Sequence, residues 1–165
     1  MSDRRLEAVG LGELKVADRP DQVLVCYGLG SCVGLALYDP VVRIGAMVHV
    51  VLPDSSMGRG REAPPGKYAD TGVEAAVAAL VDAGASRSRL IAKAAGGARM
   101  LRLAGSNPQL DIGARNTEAV RAALARHQIR LVAEDMGGTY GRTLQLFIET
   151  GRVLVSTVGR GEHEL

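Results

Sequence analysis

Tryptophan is absent and phenylalanine occurs once in 165 residues, so the aromatic platforms on which single-stranded bases stack are missing. An excess of one charge is missing too. Twenty basic residues meet 18 acidic ones, a net charge of +2, which excludes the basic stripe expected of a nucleic-acid binder. Two cysteines are too few for a disulfide framework in a chain of this length, and the N-terminal Met1-Ser2-Asp3-Arg4-Arg5 has no apolar segment of the signal-peptide type. A cytoplasmic protein with reduced thiols is expected. The longest uncharged stretch, 22–38, comes near membrane-spanning length, but its glycines and β-branched residues suit strands, so no membrane insertion is expected.

Glycine, by contrast, is abundant: 21 residues, nearly twice the usual share of about 7%. Three of them punctuate Tyr27-Gly28-Leu29-Gly30-Ser31-Cys32-Val33-Gly34, a turn that delivers one cysteine between two apolar runs. Glycine loses more backbone entropy on folding than any other residue, so such a cluster implies a conformation or a close approach that side chains would forbid. As a dinucleotide fingerprint the turn fails, because its spacing is GxGxxxG and no helix opens after it; as a phosphate loop it lacks GK[ST].

The chain length fits one domain, taken as 1–165 with a core over 8–158 and a polar tail over 159–165. Hydrophobic patterning predicts strands over 9–16, 22–27, 33–38, 44–52, 89–95, 129–134, 143–149 and 152–158. Helical spacing of Val73, Ala76, Val77, Leu80 and Val81 predicts a helix from Ala69 to a stop at Gly84. A second is expected from an Asn116 cap, through Val120, Ala123 and Leu124, to His127. Two helices cannot cover both faces of a doubly wound parallel sheet. The expected fold is therefore α/β, with mixed, largely antiparallel sheet layers and two main helices packed outside. The polar, Gly/Pro-rich loop 54–67 is long enough to expect a functional flap, and 99–112 is poorly patterned.

The strands before and after Asp39-Pro40 form an expected hairpin. With a two-residue loop Asp39 faces Val42, and the ladder then sets Cys32 opposite His49 on one face; a shift of one residue would send the two to opposite faces. A thiol reacts as its thiolate and needs a partner to take the proton, a role that suits imidazole. Small residues at Gly30, Ser31 and Cys32 would let backbone amides reach a developing oxyanion. Three other readings stay open: a buried structural cysteine, a metal site of Cys26, Cys32 and His49 with no fourth ligand in view, and a redox pair of Cys26 with Cys32. His127, at a helix end, suits capping, and His163 lies in the polar tail.

Six ordered blocks, Gly28-Leu29-Gly30-Ser31-Cys32, Ala46-Met47-Val48-His49-Val50-Val51-Leu52-Pro53, Lys67-Tyr68-Ala69-Asp70, Lys93 with Gly96-Gly97, Ile112-Gly113-Ala114-Arg115-Asn116 and Glu134-Asp135-Met136-Gly137-Gly138, together resemble the chemoreceptor glutamine deamidases, the CheD family of chemotaxis. The resemblance implies hydrolysis of selected glutamine carboxamides on chemoreceptor cytoplasmic helices to glutamate and ammonia, without metal or organic cofactor. It implies Cys32 as nucleophile and His49 as general base and acid. It also implies a possible partnership with a CheC-type phosphatase, with 54–67 and the region around Arg99 as expected contact surfaces; a weakly catalytic regulatory binder of that phosphatase is the alternative. The family's third catalytic member is a threonine six positions before the cysteine, where this chain has Cys26. A thiol is the weaker hydrogen-bond partner, so His49 is expected to be held more loosely unless Ser31, another side chain or a backbone carbonyl substitutes.

Overall fold

The structure is a computed structural model that describes residues 3–100 and 111–165. Its strands are β1 (Arg5–Ala8), β2 (Leu14–Ala17), β3 (Gln22–Leu29), β4 (Val33–Asp39), β5 (Ile44–Val50), β6 (Ile91–Gly96), β7 (Arg130–Met136), β8 (Arg142–Phe147), β9 (Val153–Thr157) and β10 (Gly161–Glu164). The helices are α1 (Ala69–Asp82) and α2 (Ile112–Arg126), with short 3-10 turns at Ser55–Gly58 and Arg87–Arg89. One sheet has the order β1-β3-β8-β9-β10 and the other β2-β5-β4-β6-β7. Within them only β1 with β3 and β6 with β7 pair in parallel. The expected mixed, largely antiparallel α/β architecture with two helices is the one observed.

Every residue of β4 and β5 is buried, because their sheet is covered on both faces. Strand side chains alternate between faces, and the two cores follow that alternation. Val33, Leu35, Leu37, Ala46, Val48 and Val50 pack with Val73, Val77 and Leu80 of α1 and Val120 and Leu124 of α2. Ala36, Tyr38 and Met47 face the other way and meet Leu24, Cys26, Leu144 and Leu146 of the first sheet. The molecule is thus three layers, sheet on sheet on helices, and continuous apolar runs mark the middle layer.

Three elements differ from the sequence reading. The strand expected over 9–16 is broken: β1 and β2 belong to different sheets, and 9–13 is the crossover between them. The tail expected over 159–165 is polar but ordered, since Gly161–Glu164 pairs antiparallel with β9. Its exposed sequence Gly-Glu-His-Glu lacked the apolar alternation that signals a strand. The cap of α2 is Asp111, whose side chain accepts from the Ala114 N–H at 3.1 Å, and not Asn116, which lies inside the helix and is fully buried. Most of the poorly patterned stretch 99–112 lies outside the described residues.

The β4–β5 hairpin differs in register. Its loop has four residues, 40–43, and pairs Asp39 with Ile44. Asp39 builds that loop: Oδ1 accepts from the Val41 N–H at 3.0 Å, Oδ2 from the Ser86 N–H at 2.8 Å, and Arg89 Nε donates to both oxygens at 3.0 and 3.1 Å. Arg43 closes it at φ 57°. Burial opposes ionisation of Asp39, yet these donors together outweigh it and hold the carboxyl at about 2. A carboxyl whose pKa is lower folded than unfolded stabilises the fold above its unfolded value of about 3.9, and that contribution fades as pH falls toward 2. Chemical denaturation between pH 5 and 2 should show this acid limb, and Asp39→Asn should be less stable at neutral pH with a visibly flatter limb.

Candidate active site

Moving the hairpin register by two residues preserves which face each side chain takes. His49 now pairs with Gly34, and the ladder begins at Val33, immediately after Cys32. Cys32 packs against the seam between the sheets, into which β5 also sends Met47 and His49. Gly34 is required here: a Cβ on it would lie 2.9 Å from Leu29 Cδ1 and 3.0 Å from Leu144 Cδ2. The absence of a side chain opposite the imidazole lets β3 and β8 close over it.

His49 is buried, and its Nδ1 lies 2.8 Å from the carbonyl oxygen of Val9. A carbonyl can only accept, so Nδ1 carries the hydrogen and Nε2 keeps its lone pair. The crossover 9–13 makes this contact possible. The Val9 N–H donates to Val25 O at 2.7 Å, tying the segment to the first sheet, while Gly12 N and Glu13 O bond the His49 peptide at 3.0 Å each. Of the substitutes considered for the family's threonine, the one in contact with His49 Nδ1 is a backbone carbonyl, that of Val9.

Cys26 lies in β3 opposite Leu144 and is fully buried; burial, and secondly the proximity of Cys32, pushes its thiol far above the ordinary range. After Cys26 the pairing with β8 slips, with Gly28 at φ 61°, and resumes at Leu29. This irregularity turns the chain toward Gly30, Ser31 and Cys32. Cys32 is half-buried, and burial raises its thiol also. A raised thiol is not a preformed thiolate, so its reaction requires a base at the moment of attack.

The three carbonyls of this loop are all engaged. Gly30 O accepts from the Ala98 N–H at 2.9 Å, Cys32 O from the Gly97 N–H at 2.9 Å, and Ser31 O from Asn116 Nδ2 at 2.9 Å. Gly96 admits the close approach: it sits at φ 119°, and a Cβ there would be 2.1 Å from Cys32 O. Neither the Ser31 nor the Cys32 N–H donates to another backbone or side-chain acceptor among the described residues. Below the loop, the buried Arg142 of β8 joins the strand ends, donating to Gly96 O at 3.2 Å, Gly137 O at 2.7 Å and Asp135 Oδ1 at 3.1 Å.

The remaining candidates lie elsewhere. His127 ends α2 and accepts at Nδ1 from Arg87 Nη2 at 3.0 Å. His163 meets Asp135 Oδ2 at 3.1 Å from β10. The expected flap is anchored: Ser55 bonds the Asp70 carboxylate through N–H and hydroxyl, at 3.0 and 2.6 Å, and the Gly66 N–H donates to Gly12 O at 2.8 Å. Among the described residues no group of three or more His, Cys, Asp or Glu side chains could hold a metal ion, and no helix is long and apolar enough to cross a membrane.

A thiol packed against the sheet seam, an imidazole that β5 sends into it, and backbone N–H groups without an acceptor among the described residues define a candidate cysteine–histidine hydrolase site. A family model described as CheD chemotactic sensory transduction matches residues 51–157. The chemoreceptor glutamine deamidase CheD of Thermotoga maritima is 49% identical over 156 residues, covering 94% of each chain. That of Halalkalibacterium halodurans is 43% identical over 157 residues, covering 95% of this chain and 96% of its own. The chain belongs to the CheD family. A solved structure, the Bacillus licheniformis hypothetical protein YfiH, covers 81% of this chain and 59% of its own at a TM-score of 0.43 and 16% identity, too slight a likeness to carry an argument.

The two thiols differ in exposure as well as in partners. Iodoacetamide should alkylate one thiol per folded chain, which peptide mass mapping should place at Cys32, and reach Cys26 only in denaturant. Equal labelling of both in the folded protein would contradict the burial described.

Proposed function

We propose that this chain is a protein-glutamine deamidase that hydrolyses side-chain carboxamides of chemoreceptor glutamines, with Cys32 as nucleophile and His49 as base and acid. The observation that carries the reading is the Val9 carbonyl on His49 Nδ1, which leaves Nε2 as the basic nitrogen on the face shared with Cys32. The cysteine gives its proton to Nε2 as sulfur attacks the carboxamide carbon, and the oxyanion that develops meets the N–H groups of Ser31 and Cys32. Collapse of the adduct breaks the C–N bond, and the proton on Nε2 leaves with the nitrogen as ammonia. Water, deprotonated by Nε2, then cleaves the thioester to glutamate and restores the thiol. Nothing in these steps calls for a metal or an organic cofactor, and the setting is cytoplasmic, where receptor signalling helices lie. A CheC-type phosphatase belongs to the same reading as a partner competing with the receptor helix.

Incubation with the purified cytoplasmic fragment of a chemoreceptor from the same cell should release ammonia and add about one dalton at individual glutamines. Cys32→Ala and His49→Ala should abolish both, and a Cys32→Ala variant that deamidates like wild type would overturn the assignment. Because Val9 holds the ring, Cys26→Ala or Cys26→Thr should change kcat by less than about three-fold. A ten-fold rise in Cys26→Thr would return the orienting role to residue 26.

A further inference from the structure

Asn116 has a place in this fold that helix stability does not explain. Asparagine is a poor helix former in the interior of a helix, where its side chain competes with the backbone, yet it stands five residues after the cap of α2 and is fully buried. Its Nδ2 donates to Ser31 O and to Val51 O, both at 2.9 Å, whereas its Oδ1 is buried without a hydrogen-bond partner. The side chain uses both amino hydrogens and leaves its acceptor unpaired. Those donors join the loop that carries Cys32 to the segment that follows His49.

The consequence lies in the peptide plane. A trans peptide points its C=O and N–H in opposite directions, so a donor that holds Ser31 O on the α2 side directs the Cys32 N–H away from α2. The Ala98 N–H holds Gly30 O and so fixes the preceding peptide, and with it the direction of the Ser31 N–H. Both N–H groups are thereby fixed in direction, and neither has an acceptor among the described residues; successive N–H groups presented by a turn are the usual material of an anion-binding concavity. Donation to a carbonyl also polarises the peptide, strengthening the N–H at its other end.

We propose that Asn116 is a positioning residue for catalysis: by holding the Ser31 carbonyl it aims the Cys32 N–H at the oxyanion of the tetrahedral adduct. It touches no substrate and moves no proton. The inference rests on the deamidase reading, but it makes a separate demand. Alkylation of Cys32 by iodoacetamide develops no oxyanion, whereas deamidation does. Loss of the Asn116 donors should therefore depress deamidation and spare alkylation.

Asn116→Asp keeps the shape and replaces the amino donors with an acceptor, and Asn116→Ser leaves a small hydroxyl with room for water. Both are to be compared with wild type for kcat and KM on the receptor fragment, and for the rate and pH profile of iodoacetamide alkylation at Cys32. Removing an oxyanion donor outright costs about 10²–10³ in kcat. Misdirecting one is expected to cost Asn116→Asp about 10- to 100-fold in kcat, with KM within about two-fold, Asn116→Ser lying between it and wild type. Alkylation should stay within about two-fold of wild type at an unchanged pH midpoint. An unchanged kcat, or alkylation that falls in step with kcat, overturns the inference, and so does failure of both variants to fold. If wild type releases no ammonia while Cys32 alkylates normally, the deamidase reading itself fails and takes this inference with it.

Discussion

The placement of the candidate site depends on one carboxylate that takes no part in it. Asp39 gathers the donors of Val41, Ser86 and Arg89 at the end of β4, which makes the hairpin loop four residues long and sets the pairing of β4 with β5. A slip by one residue would turn His49 from the seam toward the helices, because strand side chains alternate with period two. The register that brings the imidazole opposite Gly34 is fixed at the far end of the hairpin. Position in the site is thus inherited from a turn.

The orienting contact on His49 has the same remote character. Val9 supplies only a carbonyl, and that carbonyl arrives because the chain leaves the first sheet after β1 and enters the second at β2. A main-chain acceptor has no rotamer to lose and cannot be removed by exchanging a side chain. Cys26 then reads as a buried packing residue of the seam, beside Leu24 and Leu144. Arg142 completes the support by joining Gly137 to Gly96, the end of the strand whose next residue donates to Cys32 O.

Much of this was legible in the residues. Continuous apolar runs marked β4 and β5, the α1 stripe was regular, and the glycine turn drew attention to Cys32 while the hairpin count proposed His49 as its partner. What could not be read has physical causes. The loop length depended on a salt link from Asp39 to Arg89, fifty residues away, and no local rule reports such a contact. The Val9 role belongs to a backbone atom, to which side-chain identity is blind. Asn116 was taken for a cap because asparagine favours helix ends, although Asp111 satisfies that rule better and frees Asn116 for another use. Strand β10 carries Gly-Glu-His-Glu with every side chain exposed, so no hydrophobic alternation existed to find.

The empty position at Gly34 also bears on how such a protein can change over generations. The space over the imidazole is filled by Leu29 and Leu144, which come from two other strands of the opposite sheet. A side chain gained at 34 demands simultaneous loss of volume at both, and either loss alone opens a void beside His49. Sequence drift at these three places is therefore constrained to move together, so the wall of the site behaves as a single inherited unit even though its pieces are far apart along the chain.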